Sequence, residues 1–314
     1  MPRKSTIRLN NDTYRELADN FYTYLMELGY ASKSNKSRYY NLCEFLCRLE
    51  WQGIEDISRL KPADIQAYYY YLKARPNKRY TGLLSPKTIH SHMRIVNGFF
   101  ILLQQQGVIK TNPCSALYFP YPKENATARQ ILTQEEIRLL YASADSYRER
   151  AILSLAYGCG LRCGEMQNCN LPDIHFREKI QIVPKGKGNK RRVVPLSKGV
   201  ITDLLDYYHN DREELKQHKN YKPTETAFIL NSKGRRMKLY TFNKYLKRII
   251  ERTGNDKLMA KQLTIHSLRH SIATHLLEQG IKVEQVRLFL GHSQLETTQI
   301  YTHINAAQLN KLIE

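Results

Sequence analysis

From Asn11 to Gly29 apolar side chains recur at Tyr14, Leu17, Phe21, Leu25 and Leu28. That period of about 3.6 residues predicts an amphipathic helix, with Gly29 suited to its C-terminal cap. Tyr39, Leu42, Phe45, Leu46 and Leu49 mark a second helix, and Pro62 opens a third that contains the run Tyr68 to Tyr71. Ser85 followed by Pro86 reads as an N-cap with Pro at the first helical position. The fourth helix then carries Ile89, Met93, Val96, Phe100 and Leu103 on one face and ends at Gly107. Residues 118–130, YFPYPKENATARQ, hold two prolines and a polar middle and read as a linker. Thr133 and Glu136 form a capping box that starts a new unit. Helical patterning dominates it, with one clear exception. KIQIV (179–183) and RRVVPL (191–196) are short β-branched runs around a basic, glycine-containing turn, which predicts a hairpin. A second strand pair is expected around NSKGRR (231–236).

At 314 residues and 42% hydrophobic content the chain is long enough for more than one core, so two domains are expected. The longest apolar run, AILSLAYGCGL (151–161), is about half the roughly 20 residues of a membrane span. The N-terminus lacks the apolar stretch of a signal peptide. No membrane partner is expected, and the chain is placed in the cytoplasm. Six Cys occur without a CxxC pair, which fits packing residues in a reducing compartment. Charge changes the picture most. Lys and Arg number 49 against 29 acidic residues, a net charge of +20. Through Asn125 there are 18 basic and 10 acidic residues, and 31 and 19 in the remainder. Both halves are basic, and the partner that relieves such self-repulsion is nucleic acid.

Four stretches of the second half combine reactive residues with local structure that exposes them. In CGLRCGEM (159–166) two glycines bracket a helix start, placing Arg162 in the first turn with Glu165 three residues on. Arg162 reads either as a planar donor fork for a phosphate or as half of a surface ion pair worth under ~1 kcal/mol. Lys185, Lys187, Lys190, Arg191 and Arg192 cluster in the hairpin turn, where Gly186 and Gly188 let the backbone approach a ligand. Lys187 there either places a charge or donates a proton; the alternative is a solvated phosphate-attracting loop, and Lys185, Lys190, Arg191 and Arg192 are expected to bind DNA. In IHSLRHSIATHLLEQG (265–280), His266 and Arg269 are three apart on one helix face, an imidazole beside a guanidinium. His266 and His270 have the spacing of metal ligands, yet no HExxH glutamate and no third ligand accompany them, so no metal is expected. LGHSQLETTQIYTHIN (290–305) adds His292 and Tyr301. A nucleophile, cationic clamps and a proton donor are what phosphoryl transfer requires.

Arg162 in GLRCGE, Lys187 in GKGNKRRVVPL, His266 and Arg269 in HSLRH, His292 in LGH and Tyr301 in TTQIYTH follow in an order that resembles the tyrosine recombinase (lambda-integrase-like) family. The similarity is closest to the Xer-type site-specific recombinases and covers both halves. It implies a mainly α fold: a helical, SAM-like core-binding domain over 1–118, a linker over 119–130, and an α-rich catalytic domain over 131–314 with a small antiparallel sheet. It implies that Tyr301 attacks a scissile phosphate to give a 3′-phosphotyrosyl link, with Arg162 and Arg269 on the non-bridging oxygens. Lys187 would protonate the leaving 5′-oxygen, His266 would act as base, and His292 would hydrogen-bond the phosphate. Glu165 matches an acidic position that orients its neighbours. The partner would be a double-stranded recombination site, held as two duplexes by a homo- or hetero-tetramer, with strands exchanged through a Holliday junction and no cofactor. The N-terminal helices would grip the opposite side of the duplex, and the tail AAQLNKLIE would dock on a neighbouring protomer. Cys159 and Cys163 depart from the small or aliphatic residues expected beside the first Arg. A catalytically silent regulator on the same scaffold and a metal-dependent nuclease using His266 and His270 are the rival readings.

Overall fold

The computed structural model describes residues 8–28, 32–77, 81–119, 130–184 and 191–291. The chain divides into two compact units, Met1–Asn125 and Ala126–Glu314, each with a hydrophobic core of its own.

Among its described residues the first unit has four α-helices, α1 (Asp12–Glu27), α2 (Ser32–Trp51), α3 (Pro62–Ala74) and α4 (Pro86–Gln105). Their starts follow from side-chain caps. Asn11 accepts from the Tyr14 amide at 3.0 Å, and Ser85 accepts from the Thr88 amide at 3.2 Å with Pro86 behind it. The apolar stripes then close on one another: Phe45 of α2 meets Tyr68 of α3 at 4.9 Å and Phe100 of α4 at 5.9 Å between ring centroids. Leu28, expected on the α1 stripe, is 52% exposed because the helix stops at Glu27. Gly29 lies outside the described residues. The tyrosine run divides as its helical spacing requires, with Tyr68 buried against His92 and Tyr70 exposed.

The second unit begins with α5 (Gln134–Ala142), capped reciprocally by Thr133 and Glu136. Helix α6 (Tyr147–Leu153) runs on into a wide π-turn over Ser154–Gly158 and is followed by α7 (Cys163–Asn168). Strands β1 (Ile174–His175), β2 (Ile180–Val183) and β3 (Arg192–Pro195) form an antiparallel sheet in that order, with Val183 opposite Arg192. The hairpin is where the β-branched runs put it, and β1 is an addition to it. Helices α8 (Lys198–His209), α9 (Asp211–Lys216), α10 (Leu239–Arg252), α11 (Asp256–Ala260), α12 (Ile265–Glu278) and α13 (Val283–Leu290) follow among the described residues.

The second strand pair is absent; around 231–236 the described backbone makes a single bridge, Leu230 to Arg236. The Asn231 side chain accepts from the amides of Lys233 and Arg235, so a side chain takes donors that a ladder would use. Cys43, Cys114, Cys159 and Cys169 are buried, and Cys47 and Cys163 half-buried. No helix among the described residues is long and apolar enough to cross a membrane.

Candidate active site

The centre of the second unit is a carboxylate shared by arginines. The π-turn and Gly160, at φ +57°, reverse the chain so that Arg162 arrives extended at the N-cap of α7 rather than inside its first turn. Glu165, three residues on, reaches back: its Oε2 accepts from the Arg162 amide at 2.8 Å and its Oε1 from Arg162 Nη1 at 2.8 Å. Arg192 completes the arrangement from β3, donating Nη1 to Oε1 at 2.8 Å and Nη2 to Oε2 at 2.7 Å. Arg269 Nη1 lies 3.6 Å from Oε2. Burial acts to raise the Glu165 pKa, but the hydrogen bonds and charge of Arg192, with those of Arg162, outweigh it and bring the group down to about 2. The pair read as a surface contact is therefore part of a buried network.

The same three guanidinium groups grip the end of α13. Arg192 Nε donates to the Phe289 carbonyl at 3.2 Å, Arg269 Nη2 to the Leu290 carbonyl, and Arg162 Nη2 to the Gly291 carbonyl at 3.1 Å. Arg269 also donates Nη1 to the Gly160 carbonyl. These are the carbonyls a helix leaves without intrahelical partners, and cations are favoured there. Close approach depends on two glycines. A Cβ on Gly291, at φ +65°, would lie 2.8 Å from Arg192 Cδ, and one on Gly160 would lie 2.8 Å from Leu290 Cδ2.

His266 and Arg269 both lie on α12, as expected, but differ in access: His266 is exposed and Arg269 only 3% so. Partial desolvation, then the charges of Arg269 and Arg162, lower the His266 pKa, so its ring is neutral at pH 7. Burial and the Arg162 charge pull Arg269 down to about 9, which leaves it protonated at neutral pH. A second device fixes α12. Ser271 Oγ accepts from the Leu132 amide at 2.9 Å, and His275 bridges the Leu132 carbonyl and the Tyr157 hydroxyl, each at 2.9 Å. Among the described residues no group of three His, Cys, Asp or Glu side chains is placed to hold a metal ion.

The structure thus brings together Arg162, Glu165, Arg192, His266 and Arg269. Lys185, Lys187, Lys190, His292 and Tyr301 lie outside the described residues, as does the tail 306–314. Arg191 is exposed at the foot of the turn. Arg192, read with the turn lysines as a DNA-facing cation, is instead buried and spent on Glu165 and Phe289. Alternation in RRVVPL carries that placement, since Arg192, Val194 and Leu196 share one strand face and all three are buried. In the first unit, Arg38, Lys87, His90 and Arg94 line a groove with Ser34 and Asn41.

Residues 130–308 match the model of the phage integrase family. The chain belongs to that family of tyrosine recombinases. It is 33% identical over 260 residues to tyrosine recombinase XerD of Oceanobacillus iheyensis, covering 82% of each chain. To tyrosine recombinase XerC of the same organism it is 31% identical over 300 residues, 93% of each. The fold is similar to that of the Tn1549 transposon integrase in complex with circular intermediate DNA, with a TM-score of 0.65 at 20% identity over 89% of this chain and 92% of that one.

Proposed function

We propose that this tyrosine recombinase cleaves and rejoins DNA at a specific site through Tyr301. Tyr301 Oη bonds to the scissile phosphorus as the 5′-oxygen leaves with a proton from Lys187, giving a 3′-phosphotyrosyl link and a free 5′-hydroxyl. Arg162 and Arg269 take the non-bridging oxygens, His266 in its neutral form accepts the tyrosine proton, and His292 hydrogen-bonds the phosphate. The bond energy stays in the covalent link, so rejoining needs neither metal nor nucleotide. The observation that carries this reading is the convergence of Arg162, Arg269 and a neutral, exposed His266 at one place.

Lys185, Lys190 and Arg191 at the hairpin turn, and the basic groove of the first unit, hold the duplex backbone. Exchange between two duplexes proceeds through a Holliday junction in a tetramer of this chain or of this chain and a relative, acting on cytoplasmic DNA. The test is a nicked duplex carrying the recombination site. A covalent protein–DNA adduct forms in the presence of chelator and disappears in Tyr301→Phe while DNA binding persists. Binding without an adduct would point to a regulator that has lost the chemistry, and loss of cleavage with chelator to a metal-dependent nuclease.

A further inference from the structure

Arg192 stands where three parts of the second unit meet. It is the first residue of β3, paired across the ladder with Val183 at the base of the turn that carries Lys187. Its fork holds both oxygens of Glu165, the residue that also fixes the backbone and guanidinium of Arg162. Its Nε holds the Phe289 carbonyl, and its Cδ forms the wall against which Gly291 packs. Gly291 is followed directly by His292, and the chain reaches Tyr301 ten residues after Gly291. At 6% exposure, with Nε, Nη1 and Nη2 all donating to groups of its own unit, Arg192 is not shaped to meet DNA.

We infer that Arg192 is a positioning residue for strand cleavage: it fixes residues 289–291 against Glu165, and so sets the point from which the chain carries His292 and Tyr301 to the phosphate. This inference rests on the proposed nucleophile. Lysine in its place keeps the charge beside Glu165 but has neither the two-pronged fork nor a donor for Phe289. Glu165 then retains a cationic partner, Arg162 and Arg269 keep theirs, and what loosens is the end of α13. A misplacement of about 1 Å in a reacting group costs on the order of 100-fold in rate.

Two reactions separate positioning of the nucleophile from handling of the phosphate. In cleavage, Tyr301 Oη bonds to phosphorus and the 5′-oxygen leaves protonated. In the second, a DNA strand ending in a 3′-p-nitrophenyl phosphate is attacked by a free 5′-hydroxyl. The new P–O bond forms, p-nitrophenolate departs with the electron pair without needing a proton, and the hydroxyl proton passes to water. Tyr301 would attack the same phosphorus, so this reaction is run in the Tyr301→Phe background, where no tyrosine takes part though both arginine clamps do. Single-turnover rates at saturating DNA are measured for both, with DNA affinity and thermal unfolding of each variant.

Arg192→Lys is expected to slow adduct formation at least about tenfold while p-nitrophenolate release and DNA affinity stay within about threefold. Gly291→Ala, which intrudes on the same contact from the other side, should give the same split and stands in if Arg192→Lys fails to fold. Equal loss in both reactions would place Arg192 on the phosphate side, loss of affinity would make it a DNA contact, and unchanged cleavage would make it structural only; each overturns the assignment. Tyr301→Phe is the control, expected to form no adduct yet release p-nitrophenolate. A wild-type protein that forms no adduct, or a Tyr301→Phe variant that still does, defeats the underlying reading and the Arg192 assignment with it.

Discussion

Glu165 is one carboxylate among three arginines, and its charge matters more than its volume. Glu165→Gln leaves Arg162, Arg192 and Arg269 without their shared anion, which should cost about 3–5 kcal/mol of unfolding free energy in urea titrations. The pH dependence has a definite sign. The folded pKa lies below the ordinary carboxylate value, so the stabilisation is complete above pH ~4.5 and is lost as pH falls toward about 2. A shift of that size corresponds to ~3 kcal/mol, and acid unfolding curves of the wild type and Glu165→Gln should converge only at the acid end. His266 is shifted in the same direction. Its pKa is lowered, so the neutral base is already present at pH 7, and cleavage should lose rate only below the ordinary imidazole range. A single-turnover pH profile whose acid limb falls at or above pH ~6.5 would contradict this.

Among the elements, capping and alternation carried most of what could be read from sequence. The α4 and α5 starts at Ser85 and Thr133 are local chemistry, legible because a side chain three residues away is enough. The Arg162–Glu165 spacing was equally legible, but its burial was not. That depends on Arg192 and on the end of α13, 27 and 124 or more residues away in the chain. The strand pair expected around 231–236 failed for the converse reason, a local Asn231 turn taking amides that a ladder would use. Two glycines put the contrast to a test. Gly160→Ala meets both a positive φ and Leu290, and should destabilise by about 1–3 kcal/mol. Gly98→Ala, in mid-α4 with open space, should instead stabilise by about 0.5–1 kcal/mol in thermal or urea unfolding.

For the whole molecule, two separate cores and a basic excess in each half were visible in composition and pattern. Residues 130–314 and 8–119, expressed apart, should each give a cooperative unfolding transition, since each has a hydrophobic core of its own. DNA affinity of the intact chain should fall steeply with salt, and each half alone should show a shallower slope, because fewer phosphates are neutralised. The ladder of three carbonyls at 289, 290 and 291 has a further consequence for how such a chain can vary. Each carbonyl answers to a different arginine, so the end of α13 is read residue by residue, like teeth against a rack. One residue inserted or deleted within α13 turns everything after it by about 100° and shifts it by about 1.5 Å. All three pairings would slip at once, so the distance from Val283 to Gly291 cannot drift in length even where its surface residues are free to change.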